Sequence, residues 1–551
     1  MDDSGGVHLG SKRIEKSQRL YSKPVKDSQA AMSQGAIFNL VLRDERFDKF
    51  FTASDYLRQR LDAIRVERKA AGEANIQPTF IDIERSHTLY IHAAYRPYVS
   101  VASEYTRVKA SGDATSSINA SGGTLQFTFP TYGHFTSDMA IHIRFKPIGS
   151  ESATLVGPST PYLRYCALPG VRLFNKIELR SDQVLIDDYV PDDAIAYSKF
   201  FVHADQRTGW ERCHGQQEAR EATYLANGYT GTLMYRDGPQ TPKLYQEGFD
   251  IYIPLQFWFC RDATHALLND LIPNSQRTIT CELAPLKDIV QALVPMPAMG
   301  ENNMAPNTLV PVDLPFSRLG IEADLYVNGL FVNPEIHDIF ASRIGFSLIR
   351  VHRRQVNQIQ NVSDAFLLDQ LKFPAEYFMA GFRSRRLVSD FDRWWMMGVP
   401  LKRTNSKKLL APTMVWNVEN LVCQLVCREA VEVTTLENIV NTIGLTAHGI
   451  EIFPQLPSPF YNAYMPIRYA ENSMVVSPVD TSAFLINFCL YPGKFTPSGF
   501  YHLSAGREVY INYSLKPSFS LESGENEMVI SMSALNFLMR KGDKLSLRYS
   551  L

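Results

Sequence analysis

The chain has 551 residues, 45% of them hydrophobic and 21% charged, and a formal net charge of −1. That length holds several average domains, or two large β units with an N-terminal segment, and the balanced charge gives no bulk case for nucleic acid or an anionic membrane. No run of about 18 or more apolar residues is present, so no membrane-spanning helix is expected. The start, Met1-Asp2-Asp3-Ser4-Gly5-Gly6, has no apolar signal core, which predicts synthesis outside the secretory route. The seven cysteines, Cys166, Cys213, Cys260, Cys281, Cys423, Cys427 and Cys489, are odd in number and scattered, and they read as buried reduced thiols. Asn119, Asn361 and Asn512 stand in glycosylation sequons, which without a signal peptide are read as chance matches.

Residues 1–40 are polar and mixed in charge, a flexible arm or a weak electrostatic contact with a partner. Phe47, Phe50, Leu57, Leu61 and Ile64 then recur at helical spacing, with Arg58, Arg60, Arg65, Arg68 and Lys69 on other faces and Gly72 as a stop. This amphipathic helix is expected to pack on the base of a domain. Strand patterning begins near Thr79 and continues through 89–101, 124–129 and 139–145. Further strands are expected at 171–179, 184–189, 249–260 and 277–283, with a helix over 192–202 and a helical turn near 264–271. The Pro-, Asn- and Met-rich stretch from Pro295 to Pro315 is the best linker.

A second strand-rich unit follows, with strands expected at 321–332, 344–351, 365–371, 376–382, within 417–435 and at 446–453. The C-terminal part has the clearest alternation. Phe484, Ile486, Phe488 and Leu490 form one apolar row, and Val509, Ile511, Tyr513 and Leu515 another. Met528, Ile530, Met532 and Ala534 form a third, and Leu545, Leu547, Tyr549 and Leu551 close the chain. A period of two with polar alternates predicts antiparallel strands with one face on a core and one in water. Turns fall at Pro492-Gly493, Pro497-Ser498-Gly499, Ser523-Gly524 and Lys541-Gly542-Asp543. Two successive β units of roughly 200 residues predict tandem sandwiches.

Motifs for catalysis are missing. There is no phosphate loop, dinucleotide fingerprint, His-Glu-x-x-His or Gly-x-Ser-x-Gly, and no two histidines stand two apart as a metal-binding strand requires. His134 and His142 are too far apart for such a pair, and Cys423 and Cys427 have no second pair to complete a site. No catalytic, cofactor-binding or metal residue is therefore assigned, and the expectation is a structural protein rather than an enzyme. The most basic stretch holds Arg383, Arg385, Arg386, Arg393, Lys402, Arg403, Lys407 and Lys408. With Trp394-Trp395 beside it, base stacking is one reading, and a solvated loop or subunit contact is the preferred one. Four large residues, Trp394-Trp395-Met396-Met397, cannot all face water, so at least two are expected to be buried. Three places could take them: the first unit, a neighbouring copy, or the second unit's own core.

Several ordered blocks resemble the major capsid proteins of the African swine fever virus family, the asfarvirus-like group. They are Arg96-Pro97-Tyr98-Val99 with Glu104-Tyr105, Pro130-Thr131-Tyr132-Gly133 with Asp138-Met139, Tyr165-Cys166, Pro169-Gly170, Asp188-Tyr189, and Gly238-Pro239-Gln240-Thr241-Pro242-Lys243. The most specific block is Leu330-Phe331-Val332-Asn333-Pro334-Glu335-Ile336-His337, followed by Phe346-Ser347-Leu348-Ile349-Arg350-Val351-His352. Thr446-Ala447-His448-Gly449-Ile450, Pro497-Ser498-Gly499 and Leu547-Arg548-Tyr549-Ser550 extend it. The arm before Phe47 is longer and more polar than in the family, and the loop 147–161 is shorter.

The resemblance implies an all-β tandem double jelly roll, two eight-stranded antiparallel sandwiches with short helices and an N-terminal helical arm. Expected boundaries are an arm and helical region over 1–76, a first roll over 77–299, a linker over 300–318 and a second roll over 319–551. It further implies a homotrimeric, pseudo-hexagonal capsomer that tiles an icosahedral double-stranded DNA virus shell in the virion, assembled in the host cytoplasm in viral factories. Implied partners are neighbouring capsomers, minor capsid and penton proteins, the internal viral membrane at the base and a viral folding chaperone. No direct nucleic-acid binding and no cofactor are expected. The alternatives are a jelly-roll attachment or carbohydrate-binding protein of the virion and, third, a cupin-type enzyme, against which the missing histidine pair weighs.

Overall fold

The computed structural model describes residues 54–72, 101–149, 160–182, 184–216, 219–226, 229–236, 238–272, 276–295, 309–332, 337, 346–404, 410–417, 422–429, 432–470, 481–494, 496–503, 508–517, 519, 524–541 and 544–549. The 1–40 arm, the strands expected at 79–100, most of the 147–161 loop, residues 296–308 of the linker and Leu551 lie outside the described residues. The expected helix is present as α1 (Ser54–Ala70). Asp62, Arg65, Val66, Glu67 and Lys69 are exposed on it.

Eight strands make the first sandwich: β1 (Val101–Lys109), β2 (Gly123–Phe129), β3 (Phe135–Phe145), β4 (Phe174–Ser181), β5 (Val184–Tyr189), β6 (Phe249–Pro254), β7 (Arg277–Leu283) and β8 (Arg318–Val332). They form two antiparallel sheets of order β1-β8-β3-β6 and β2-β7-β4-β5. The next eight are β9 (Phe346–Ile359), β10 (Ser363–Leu367), β11 (Pro374–Ser384), β12 (Val440–Ala447), β13 (Ile450–Pro457), β14 (Ala483–Asn487), β15 (Val509–Leu515) and β16 (Asn526–Lys541). Their order is β9-β16-β11-β14 and β10-β15-β12-β13, the first pattern with every number raised by eight. Each set is a jelly roll. Shorter strands extend the sheets, among them the C-terminal β17 (Lys544–Leu547), antiparallel to residues 538–541 of β16.

Alternation explains the cores. Leu125, Phe127 and Phe129 of β2, and Met139, Ile141, Ile143 and Phe145 of β3, are buried at every second position. In β15 the buried residues are Val509, Ile511, Tyr513 and Leu515, as the sequence predicts. Most departures from expectation occur where continuous apolar patterning crosses a turn. The strand expected at 249–260 ends at Pro254, and Trp258–Arg261 is a helical turn. The strand expected at 446–453 is instead a hairpin of β12 and β13, whose turn places His448 and Gly449 at φ 51° and 75°. Ala204–Cys213 is a further helix, and 219–226 pairs with 229–236 as a hairpin.

Arg318–Val332 corrects the expected boundary at 319. It is the eighth strand of the first roll, paired along one edge with β1 (Val101 opposite Val332, Lys109 opposite Asp324) and along the other with β3. The Pro-rich stretch before it therefore joins two strands of one roll. The passage from roll to roll falls between Val332 and Phe346.

The two rolls differ in how their equivalent sheets are covered. In the second roll both faces of the β9-β16-β11-β14 sheet are buried along β11 and β14. Every residue of β11 is buried, and so are Ala483 to Asn487 throughout β14. One face lies on the roll's own core through Phe378, Phe382, Phe484, Ile530 and Met532. The other meets the first roll, where helix α2 (Pro191–Phe200), directly after β5, lies against β11 and β16.

Candidate functional site, the charged seam between the rolls

The first roll brings four carboxylates to the seam within seven residues. Asp187 and Asp188 end β5, and Asp192 and Asp193 stand in the first turn of α2. Pro191 opens that helix and the Val190 amide donates to Asp193 Oδ2 at 3.0 Å, so the helix N-terminus is capped by an acid its dipole favours. The second roll answers with β9, where Arg350, His352 and Arg354 share one face at period two, and with Arg383 near the end of β11.

Asp187 is fully buried. It accepts from the His352 amide at 2.8 Å and from His352 Nδ1 at 2.9 Å. Arg354 donates to Asp188 at 2.9 Å. Arg383 forks onto both oxygens of Asp192 at 2.7 and 3.0 Å, and its Nε donates to Glu527 at 2.8 Å. Burial opposes the Arg383 charge, and Asp192 and Glu527 more than offset it, so its pKa is raised. Ser531 donates to Asp193 at 2.6 Å, while burial pushes the Asp193 carboxyl up.

A reciprocal pair of bonds crosses the same seam. Arg350 donates from Nη1 to His265 Nε2 of the first roll, and Arg261 of the first roll donates to His352 Nε2 of the second. Arg350 is itself held by Glu376 at 2.5 and 3.0 Å and by the Lys494 carbonyl. Each imidazole meets a guanidinium of the other roll. Burial, and then the Arg350 charge, push His265 down to about 4.

The stretch 385–397 docks beside this cluster. Trp394 donates to the Ala167 carbonyl of the first roll at 2.7 Å, and Arg172 stacks over Trp394 and Phe391, each at 5.4 Å. Trp394 and Met397 are buried and Trp395 and Met396 half-buried, which meets the expectation that at least two are covered and places Trp394 on the first roll. Of the basic stretch, Arg383 lies in the seam, and Arg385 and Arg386 approach Glu527 and Glu525 at 4.0 and 2.5 Å. The Lys402, Arg403, Lys407 and Lys408 side chains lie outside the described residues.

Other sequence candidates scatter. His134 Nδ1 accepts from the Val332 amide at 3.0 Å, whereas His142 faces Asp250 at 2.9 Å and stacks on Tyr252. Cys423 and Cys427 lie on Val422–Glu429, with their side chains outside the described residues. Asn119 is half-buried, Asn361 donates to Asp364 and Asn512 donates to Thr446. Sequence reading missed the seam itself. Its signal was two clusters of opposite sign, Asp187-Asp188 with Asp192-Asp193 and Arg350 with His352-Arg353-Arg354.

Among the described residues no helix is long and apolar enough to cross a membrane, and no three His, Cys, Asp or Glu side chains converge as a metal site. What the seam does is mechanical. Buried ion pairs add little net stability over apolar packing, but breaking one costs about 3–5 kcal/mol, so the network holds the rolls in one orientation.

Two jelly rolls in tandem, locked side by side, define the double jelly-roll class of virus major capsid proteins. The chain is similar along nearly its whole length to the "Hexon protein p72" of African swine fever virus (isolate Tick/Malawi/Lil 20-1/1983), 26% identical over 654 aligned residues that cover 94% of this chain and 100% of the relative. It is equally similar to the "Major capsid protein" of the Pig/Kenya/KEN-50/1950 isolate, 26% identical over 659 residues with the same coverage. No family model matches. Among solved structures, the faustovirus major capsid protein superposes with a TM-score of 0.63 at 26% identity, covering 89% of this chain and 98% of that one. The PBCV-1 capsid protein VP54, with a TM-score of 0.54 at 14% identity, covers 84% of this chain and shares the fold.

Proposed function

We propose that this chain is the structural major capsid protein of an icosahedral double-stranded DNA virus, and that three copies form a pseudo-hexagonal capsomer. One observation carries the reading: a single chain presents two rolls of identical topology side by side, so three chains supply six similar rolls. Its rolls divide between Val332 and Phe346, and it catalyses no reaction. Capsomers abut one another and meet minor capsid and penton proteins, with the base facing an internal membrane. Assembly takes place in the host cytoplasm with a viral folding chaperone.

Purified full-length protein tests the oligomer by light scattering. The expected mass is three times the 62.4 kDa chain. A folded monomer at micromolar concentration would sink the trimer. Mass spectrometry of purified particles tests the role. A shell protein is the dominant component, and a minor band would favour an attachment or carbohydrate-binding protein.

A further inference from the structure

The first roll encloses a cavity behind the N-terminal turn of α2. Its walls are mostly apolar, with Val171, Phe174, Ile177, Ala194 and Ile253. Three polar residues complete them: Tyr189 at the end of β5, His214 at the end of the helix Ala204–Cys213, and Gln256 just past β6. All three are more than nine-tenths buried, at 4%, 2% and 6% exposure. The cavity measures about 20 Å³.

Each polar residue brings one hydrogen-bonding position that no protein group meets among the described residues. Gln256 Oε1 is buried without a donor. The Tyr189 hydroxyl accepts from the Gln256 amide at 3.3 Å, which leaves its own hydrogen to give. His214 Nδ1 stands 2.7 Å from the Trp210 carbonyl, and a carbonyl only accepts, so Nδ1 carries the hydrogen. Burial pushes the imidazole down to about 4, so at neutral pH Nε2 is a bare acceptor. Two acceptors and one donor therefore line one small space.

We infer that the cavity is a binding site for a single water molecule, which donates to Gln256 Oε1 and His214 Nε2 and accepts from the Tyr189 hydroxyl. Three bonds are what a buried water usually makes, and it needs about 10–15 Å³, so this cavity admits one water and not two. The bonds tie the helix Ala204–Cys213 to β5 and β6 beneath Ala194 of α2. Tyr189 carries the effect to the seam, since its ring packs on that of His352 of the second roll at 5.4 Å. The site thus seats the turn that presents Asp192 and Asp193 to the second roll.

The test is a map of the purified full-length protein at a resolution that shows ordered waters, together with Gln256→Met, which keeps the side chain's length and removes both polar atoms. The expected map has one peak within hydrogen-bonding distance of Gln256 Oε1, His214 Nε2 and Tyr189 Oη, and the variant lacks it. The variant is also expected to melt about 1–3 °C lower than wild type. Were no molecule bound, the substitution would remove an unmet amide from an apolar space, and the variant would melt higher. A map that shows ordered waters elsewhere in the core and no density here overturns the site. So does a Gln256→Met chain that melts at or above the wild type. If that variant does not fold, the wild-type map alone decides.

Discussion

Arg350 on the second roll donates from Nη1 to Nε2 of His265 on the first at 2.9 Å, a bond that exists only while the imidazole is neutral. Folding lowers the pKa of His265 to about 4, through burial first and Arg350 second. An unfolded histidine titrates near about 6.5. Between those values the unfolded chain holds the extra proton, so this contribution is fully present above about pH 6.5, is lost as pH falls and is gone below about pH 4. The loss is on the order of 3 kcal/mol. Melting temperature recorded from pH 8 to 4.5 is expected to fall below pH 6.5, and His265→Gln, which keeps an acceptor for Arg350, is expected to flatten the curve. An unchanged curve in the variant would remove His265 as a source. His214 of the first roll, buried and also pushed down to about 4, contributes in the same window.

Arg383 is the most exacting residue of the seam. Replacing it with Met removes the guanidinium bonds to Asp192 and to the buried Glu527. The expected cost is about 3–5 kcal/mol in chemical denaturation. Arg383→Lys is expected to recover only part of it, because an ammonium cannot form the two-pronged contact with Asp192.

Trp394 reports on the same contact. Trp394→Phe removes the bond to the Ala167 carbonyl and is expected to cost about 1–2 kcal/mol. Trp394→Ala, which also empties the site, is expected to cost about 3–5 kcal/mol. Equal stability of Trp394→Phe and wild type in urea would show that the indole N–H contributes nothing across the rolls.

Ending the chain at Gly542 removes β17. Leu545, Leu547 and Tyr549 are half-buried against the core, and Asn536 donates to the Tyr549 carbonyl at 2.8 Å. Half-burial of three large side chains is worth about 2–4 kcal/mol, less than the full burial that alternation alone suggests. Loss of β17 also opens an edge beside residues 538–541 of β16. The truncated chain is expected to melt lower and to give less soluble trimer, as read by parallel expression and size-exclusion yield. Unchanged yield and melting would mean that β17 does not close the sheet.

By itself the sequence determined the sandwiches and their inward rows. Period-two rows such as Val509 to Leu515 and Met528 to Ala534 name the face that meets each roll's own core, because that information is local. Sequence could not say what covers the other face. Ser531, Ser533, Arg350 and Arg383 look in a strand like residues meant for water, yet all four are buried because the first roll lies on them. Leu490 ends an apolar row and is 66% exposed, since its strand stops at Asn487. Nor could periodicity assign Arg318–Val332 to a roll, because its pattern suits either sheet and only pairing with Val101–Lys109 decides. Both failures have one cause. Alternation records a strand's own two faces, while its neighbours and its cover come from residues hundreds of positions away, such as Asp193 against Ser531, 338 residues apart.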